Sequence, residues 1–260
     1  MEKEKKELKV RVMTYNVHSC RGLDGRVVPE RIAKVIEKYS PDIVALQELD
    51  VNRRKSGNVD QPLIIANYLR MHCHFQPAIA IEGENYGIAV LSRYPFDIVK
   101  ADHLSYSDKL SRLLHIPILR HLFEPREIIW VNVKIEDCEI HFFNTHLGLR
   151  AKERELQIKT ILSHEWMGSI HEDAAVVFCG DLNSVPRSSV YEFIGKHLKE
   201  AKPDIKNSRS RKTFTSRYPL FELDHIFYKG KIKLESVEIP ATKLTQTASD
   251  HLPVIADFLL

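Results

Sequence analysis

The sequence predicts an α/β (α+β) fold in which two mixed β-sheets pack together and helices cover their outer faces. Apolar runs of strand length outnumber helical patterns. Several of these runs follow one another closely, as antiparallel hairpins do, and helical segments separate others, as crossovers between parallel strands do. No internal repeat, low-complexity tract or linker divides the 260 residues, so we expect one domain, 1–260, with a charged tail at 1–8.

The predicted strands are short runs that are apolar, β-branched or alternating in polarity. The first, at 8–17, alternates apolar residues such as Val and Tyr with polar ones, and the second is the buried run D-I-V-A-L-Q-E that follows Pro41. The remaining strands are expected at 74–80, 86–92, 96–101, 127–135, 138–145, 176–179, 224–228, 233–239 and 252–258.

The predicted helices fill the intervals between these strands. Pro29 opens the first helix at a favoured first-turn position, and Ile32, Ala33, Val35 and Ile36 then fall on one face. Further helices are expected at 61–71, 151–170 and 188–197.

The bulk composition indicates an ordinary globular protein. Hydrophobic residues make up 43% and charged residues 28%, and the net charge of +3 does not by itself argue for nucleic acid. The four cysteines are far apart in sequence, which excludes a CxxC motif and favours reduced thiols. No stretch has the apolar length of a membrane span, and the N-terminus lacks the apolar core of a signal peptide, so we expect a cytoplasmic location.

Polar residues of chemically useful types stand at the ends of six predicted strands. They are Asn16, Glu48, Asn144 with His146, Asp181 with Asn183, Asp224 with His225, and Asp250 with His251. Each of these polar segments, considered by itself, could equally well be a turn. An example is G-D-L-N-S, which follows the run V-V-F-C. If the ends converge, they supply carboxylates, amides and imidazoles to one cleft, a mixture that suits Mg²⁺ or Mn²⁺. The sequence contains no H-E-x-x-H zinc motif, G-x-S-x-G nucleophile motif or glycine-rich phosphate loop.

The motifs T-Y-N-V-H, A-L-Q-E-L, F-N-T-H-L-G, G-D-L-N-S, L-D-H-I-F and S-D-H-L-P-V occur in this order from about residue 10 to the C-terminus. In the order of these motifs the chain resembles the endonuclease/exonuclease/phosphatase superfamily. The sequence around the motifs is most similar to that of the compact bacterial members. The resemblance implies a four-layered αββα sandwich with a metal-lined cleft at the strand ends. It also implies a Mg²⁺- or Mn²⁺-dependent hydrolase of phosphate esters, most simply a phosphodiesterase that uses in-line attack by an activated water.

The same resemblance assigns roles to individual residues. Glu48 would be the main metal carboxylate, with Asn16 and Asp250 as direct or water-mediated ligands. Asp181 would polarise the attacking water. The side chains expected to contact the phosphate, or to orient those that do, are Asn183, His146, and His251 with Asp224 behind it. Arg126 in E-P-R-E and Asn144 are further candidates for phosphate binding, although Arg126 could be a surface residue and Asn144 could support a neighbouring loop. We expect His225 to be structural, whereas His18 could lie near the site and is assigned no role.

The substrate class stays open at this stage between a phospholipid head group, a nucleotide and a nucleic acid. N-V-H-S-C-R and Q-E-L-D depart from the motifs of the abasic-site enzymes, which disfavours a repair-type DNA endonuclease or exonuclease. The apolar and basic segment 107–123 is interpreted either as a lid or as a peripheral lipid contact. The basic stretch at 206–217 could attract a polyanion or be a solvated loop. A catalytically inactive binding module on the same fold is the second alternative, and we expect a monomer.

Overall fold

The computed structural model describes residues 8–104, 125–202 and 211–260. The charged tail before residue 8, the 107–123 segment and the 206–210 part of the basic stretch lie outside the described residues, so the two interpretations of 107–123 stay open. No helix in the described ranges is long and apolar enough to cross a membrane.

The strands of the described residues agree with the predicted positions to within a few residues, except for the two-residue strand β9, which the sequence did not predict. In chain order they are β1 Lys9–Asn16, β2 Ile43–Val51, β3 His72–Ile81, β4 Glu84–Ser92, β5 Phe96–Leu104, β6 Arg126–Ile135, β7 Cys138–His146, β8 Ala175–Asp181, β9 Lys199–Glu200, β10 Asp224–Lys229, β11 Lys233–Glu238 and β12 Val254–Leu259. The helices are α1 Pro29–Tyr39, α2 Gln61–Leu69, α3 Ala151–Ile161, α4 Ser189–Gly195 and α5 Lys243–Ala248.

Two six-stranded sheets are formed, with the orders β11-β12-β1-β2-β4-β3 and β5-β6-β7-β8-β10-β9. Each sheet is mixed, because β1 pairs in parallel with β2 and β7 pairs in parallel with β8, while the other pairings are antiparallel. The predicted mixture of hairpins and helical crossovers is therefore confirmed.

The core has three apolar layers, one between the sheets and one under the helices on each outer face. Strand β1 shows the pattern. Val10 and Val12 pack between the sheets, whereas Met13 packs on the opposite face with Ile32 and Ile36 of α1. Burying both faces of a strand requires apolar residues at almost every position, which is why runs such as D-I-V-A-L and V-V-F-C are nearly continuously apolar.

The helix predicted over 151–170 was too long, because α3 ends at Ile161. The backbone N–H groups of Trp166 and Gly168 both donate to the carbonyl of Ser163, which closes a tight turn in place of helical bonding. A Cβ on Gly168 would lie 2.9 Å from that carbonyl carbon and oxygen. Trp166 and Met167 are nevertheless buried in the apolar layer that also contains Ile161 of α3. The apolar spacing that predicted a helix therefore buries these residues although the backbone is not helical. The sequence reading also missed α5, which begins at a capping box formed by Thr242 and Thr245.

Asn144 joins the two sheets. Its side chain leaves β7 and donates from Nδ2 to the carbonyls of Leu46 and Ala89 in the other sheet, at 3.0 and 2.8 Å. Its Oδ1 accepts from Nε2 of Gln47 at 2.8 Å. The β2–β4 pairing shifts register just after Leu46. Asn144 therefore satisfies carbonyl groups where the ladder is interrupted, deep inside the protein.

We expect Asn144→Ala to lower the free energy of unfolding by about 2–5 kcal/mol, because each of two buried carbonyls left without a donor costs about 1–3 kcal/mol. Urea denaturation measures the difference. Asn67→Ala on the exposed face of α2 is the matched control and should stay within about 0.5 kcal/mol of the parent. Equal stability of the two variants would contradict the bridging role.

Candidate active site

Strand ends from both sheets meet at one edge of the sandwich. In the second sheet His146 and Asp224 are both register partners of Asp181, on β7 and β10 respectively. In the first sheet β1 ends at Asn16, whose Nδ2 lies 3.0 Å from Oδ2 of Asp181. This contact crosses between the sheets, so side chains far apart in sequence share one cleft.

Asp181 is the centre of this cleft and is 2% exposed. Its Oδ2 accepts the Asn16 hydrogen bond and lies 3.6 Å from Nε2 of His146 and 3.8 Å from Nε2 of His251. Burial and the neighbouring charge of Asp224 raise the pKa of Asp181, while His251 and the hydrogen bonds to the carboxylate act in the opposite direction. A carboxylate with a raised pKa is a stronger base than a solvated one.

Asn183 reaches the cleft by a turn and not by strand alternation. Residues two apart in a strand share a face, but this spacing does not apply here, because β8 ends at Asp181 and Asn183 is left-handed with φ +46°. The backbone N–H of Asn183 donates to Oδ1 of Asp181 at 2.9 Å, so the aspartate itself folds the turn. The Asn183 Nδ2 then donates to the Leu147 carbonyl at 2.9 Å and lies 3.0 Å from Nε2 of His146.

Gly180 permits this close packing. Its φ is +148°, and a Cβ there would lie 1.9 Å from the carbonyl oxygen of Thr145 on β7. Only glycine therefore fits beside β7 at the point where the strand delivers Asp181.

His251 and Asp224 form a buried pair. Nδ1 of His251 lies 2.8 Å from Oδ2 of Asp224, and the ring of Phe214 packs against the imidazole with centroids 4.9 Å apart. Burial lowers the pKa of His251, but the charge of Asp224, its hydrogen bond and the charges of Asp181 and Asp250 together raise that pKa to about 10. The surrounding carboxylates thus favour the imidazolium form of His251, whose Nε2 faces the cleft.

Glu48 enters the cleft because β2 is irregular there. The β2–β4 register shifts between Leu46 and Leu49, and Glu48 is left-handed with φ +60°. This bulge turns Glu48 toward Asn16, whose Nδ2 donates to Oε1 of Glu48 at 3.0 Å. In a regular strand Glu48 would share a face with Leu46 and point toward the helices.

Asp250 is tied to the same edge through Ser249. The hydroxyl of Ser249 donates to the Asn16 carbonyl at 2.8 Å, accepts the His251 backbone N–H at 3.2 Å and lies 3.4 Å from Oδ1 of Asp250. Nδ1 of His18 lies 3.6 Å from the same Asp250 oxygen, so His18, to which the sequence assigned no role, is at this edge. Ser249 and Phe214 were not singled out from the sequence. Ser249 lies in the motif S-D-H-L-P-V and could have been identified from it, whereas no motif quoted above contains Phe214.

The donor set fits a hard divalent cation. Glu48, Asp181, Asp224 and Asp250 bring four carboxylates to this edge, where His251 contacts both Asp224 and Asp181. Oδ1 of Asp224 is buried and has no hydrogen-bond partner within those residues. An excess of carboxylate oxygens, with no described cysteine among them, is the chemistry that Mg²⁺ and Mn²⁺ prefer.

Arg126 and Asn144 lie behind the cleft. Arg126 is 3% exposed, and its Nη1 lies 3.0 Å from Nδ1 of His146. Both amide protons of Asn144 are donated to backbone carbonyls of the first sheet. Phosphate binding by Arg126 or Asn144 therefore stays a prediction. His225 points away from Asp224, with its ring nitrogens 2.8 Å from Oε1 of Glu200 and 2.9 Å from the Ser184 carbonyl.

Comparison with known proteins identifies the family of this chain. The model of the Endonuclease/Exonuclease/phosphatase family matches residues 13–251. The uncharacterized protein YbhP of Escherichia coli (strain K12) is 23% identical over 276 residues, and the alignment covers 100% of both chains.

Two solved structures share the fold. The endonuclease/exonuclease/phosphatase from Beutenbergia cavernae is 23% identical with a TM-score of 0.74, covering 97% of this chain and 72% of that one. ANGEL2, described as a 2′,3′-cyclic phosphatase, is 18% identical with a TM-score of 0.72, covering 98% of this chain and 96% of that one. From the extent of the family match, together with this shared fold, the chain belongs to the endonuclease/exonuclease/phosphatase family.

Proposed function

We propose that this protein is a Mg²⁺- or Mn²⁺-dependent phosphodiesterase in which Asp181 activates the attacking water. One observation carries the proposal. A buried carboxylate oxygen, Oδ2 of Asp181, is flanked by Nε2 of His146 at 3.6 Å and Nε2 of His251 at 3.8 Å. These distances exceed those of hydrogen bonds, so the two imidazoles adjoin the carboxylate without bonding to it.

Asp181 is suited to accept a proton from water. Its carboxylate is fixed by the Asn16 amide on Oδ2 and by the Asn183 backbone N–H on Oδ1. Both donors are held by the fold, so little reorganisation is needed when water enters. Burial and Asp224 strengthen the base by raising its pKa.

The imidazoles are placed to receive the phosphate. Asp224 holds Nδ1 of His251, which leaves Nε2–H of the imidazolium for a non-bridging oxygen. His146 and Asn183 approach from the other side, with Nε2 and Nδ2 only 3.0 Å apart. Fixed donors aimed at a site of developing negative charge are typically the largest contributors to the catalysis of such reactions.

Glu48 and Asp250 would hold the metal ion, with Asn16 beside them. The ion would supply positive charge to neutralise the phosphate and stabilise the leaving oxygen. Asn16 presents its amide nitrogen to Glu48 and Asp181, while its Oδ1 accepts the backbone N–H of His18 at 3.1 Å. Its strongest role in this arrangement is therefore to orient the two carboxylates.

The substrate is proposed as a phosphodiester of a phospholipid head group, a nucleotide or a nucleic acid. ANGEL2 acts on 2′,3′-cyclic phosphates by its description, and this adds a cyclic phosphodiester to the candidates for this chain. An inactive binding module is disfavoured, since carboxylate, amide and imidazole groups are all present in competent contacts. The discriminating experiment incubates the protein and Mg²⁺ or Mn²⁺ with bis-p-nitrophenyl phosphate, plasmid DNA, phospholipid vesicles, 2′,3′-cyclic AMP and phosphomonoesters.

Replacing Asp181 tests the proposed base. Asp181→Asn should lower kcat on the best substrate by at least about 10³-fold, because proton transfer and preorganised electrostatics each contribute roughly 10²–10⁴-fold. Folding should survive the nearly isosteric change. Asp173→Asn, at an exposed aspartate, is the matched control. More than a tenth of the parent activity in Asp181→Asn would remove Asp181 from the mechanism.

The metal assignment makes a separate prediction. EDTA should abolish activity, and Mg²⁺ or Mn²⁺ should restore it, since the donors are oxygens. Glu48→Gln should raise the metal concentration for half-maximal activity by at least about tenfold, as the loss of one charged ligand implies, whereas Glu165→Gln at an exposed site should not. Full activity in chelator, or rescue by Zn²⁺ alone, would exclude this donor set.

The Asp224–His251 pair should behave as one unit. We expect Asp224→Ala, His251→Ala and the double variant to lose activity to within about tenfold of one another, because groups that act together are not additive. Steady-state kcat/KM measures the three losses. A double variant whose loss equals the product of the single losses would show that the two residues act independently.

A further inference from the structure

A basic pocket opens at the end of the second sheet that lies opposite the cleft. Its volume is about 280 Å³, and it is bounded by the end of α4, by strand β9 and by the turn after β10. Strand β10 runs from Asp224, in the cleft, to Lys229, in the pocket. Five residues of strand span roughly 17 Å, so the pocket is separate from the catalytic site.

The ionisable side chains that line this pocket are all basic. Lys196 and His197 follow α4, Lys199 belongs to β9 and Lys229 ends β10, whereas no aspartate or glutamate of the described residues is among the lining. The other lining residues are apolar, aromatic or glycine. A concave surface whose charges have one sign concentrates their field and attracts ligands of the opposite sign.

The pocket lysines differ from the lysines beside them in having no acidic partner. Lys202, just after β9, lies 2.7 Å from Glu200, and Lys231, just after β10, lies 3.3 Å from Asp173. None of the three pocket lysines forms an ion pair with the part of the chain that the structure describes. The positive charge that carboxylates neutralise on either side is therefore uncompensated at the pocket.

Lys229 is half-buried, whereas Lys196 and Lys199 are exposed. Side chains alternate between the faces of a strand, so Lys229 shares a face of β10 with Phe227, which packs in the apolar layer beneath α4. Helix α4 ends at Gly195, and the pocket lies beyond its end. Burial lowers the pKa of Lys229, and a bound anion would act in the opposite direction by favouring the charged ammonium.

The volume and the donors of the pocket select a compact phosphate ligand. Small-molecule sites typically have volumes of roughly 300–1,000 Å³, and this pocket is close to the lower limit, which excludes a folded domain or a nucleic-acid duplex. Lysine ammonium groups bind phosphate oxygens as point charges with three donors each. Three ammonium groups carry more charge than one carboxylate neutralises, whereas two linked phosphates carry a negative charge of comparable size.

We propose that Lys196, Lys199 and Lys229 form a binding site for a compact diphosphate, either inorganic pyrophosphate or the diphosphate group of a nucleotide. The site is additional to the catalytic cleft and does not depend on the phosphoesterase function.

Calorimetric titration of the full-length protein with inorganic pyrophosphate tests the proposal. EDTA is present so that no metal ion links the ligand to the cleft, and we expect one saturable site. Lys196→Gln/Lys229→Gln should weaken binding by at least about tenfold, because each change removes a charged hydrogen-bond donor. The matched control is Lys34→Gln/Lys159→Gln, at exposed lysines of α1 and α3. It changes the net charge equally and should alter the affinity by less than about twofold, since distant charges are screened at about 0.15 M salt.

Two further measurements locate the bound pyrophosphate. In ¹H–¹⁵N spectra of ¹⁵N-glycine-labelled protein the signal of Gly195 should shift on binding. Its loss in Gly195→Ala identifies this signal, and the variant is suitable because a Cβ there meets no atom within 4 Å. His251→Gln removes a basic side chain from the cleft and should leave the affinity unchanged. Titration with ADP in place of pyrophosphate distinguishes the two sources of diphosphate, and the one that binds more tightly identifies the source.

Several results would overturn the proposal. They are no binding of pyrophosphate or ADP at millimolar concentration, equal weakening in the control variant, and loss of binding in His251→Gln with retention in the pocket variant. Binding of a single-stranded oligonucleotide through the pocket lysines, with none of pyrophosphate or ADP, would also exclude a compact ligand. If circular dichroism shows that the double variant is unfolded, Lys196→Gln alone and the Gly195 signal decide the question.

Discussion

One amide group, Nδ2 of Asn16, donates to Glu48 in its own sheet and to Asp181 in the other, at 3.0 Å each. Two carboxylates this close repel each other in a poorly solvated cleft, and a shared donor offsets part of that repulsion. Asn16 can do this because β1 lies inside its sheet, between β12 and β2. The Asn16 carbonyl in turn accepts from Ser249, so the Asp250–His251 segment depends on the same residue.

The two imidazoles of the cleft have neighbours of opposite charge. His251 has a carboxylate behind it, and His146 has a guanidinium behind it. The first neighbour favours the charged ring and the second favours the neutral one. In both rings Nε2 is the nitrogen that faces Asp181, at 3.6 Å for His146 and 3.8 Å for His251. A phosphate held between the two rings would lie beside one cationic ring, and Asp181 would not be flanked by two cations.

Backbone irregularities deliver the reactive groups, and rigid strands hold those irregularities in place. Glu48 and Asn183 are both left-handed, a conformation that costs on the order of 1–3 kcal/mol at a residue such as Glu. The bulge that turns Glu48 into the cleft also exposes carbonyls that Asn144 satisfies from the other sheet. The residue that stabilises the irregularity is thus fully buried and lies beneath the site it supports.

The sequence alone determined the layer architecture, most strand positions and the group of polar residues at the strand ends. These follow from local patterns of period two or 3.6 and from six motifs whose order identifies the family. The tertiary structure alone decided which contacts those residues make. It showed that Asn183 arrives by a turn capped by Asp181, that Asn144 bridges the sheets and that Arg126 contacts His146. Each of these depends on contacts between chain segments from different strands or on a left-handed backbone, and neither leaves a periodic signal in the sequence. The helix predicted to residue 170 was wrong for the same reason, since a hydrogen-bonded turn at Ser163 preserved the apolar spacing while ending the helix.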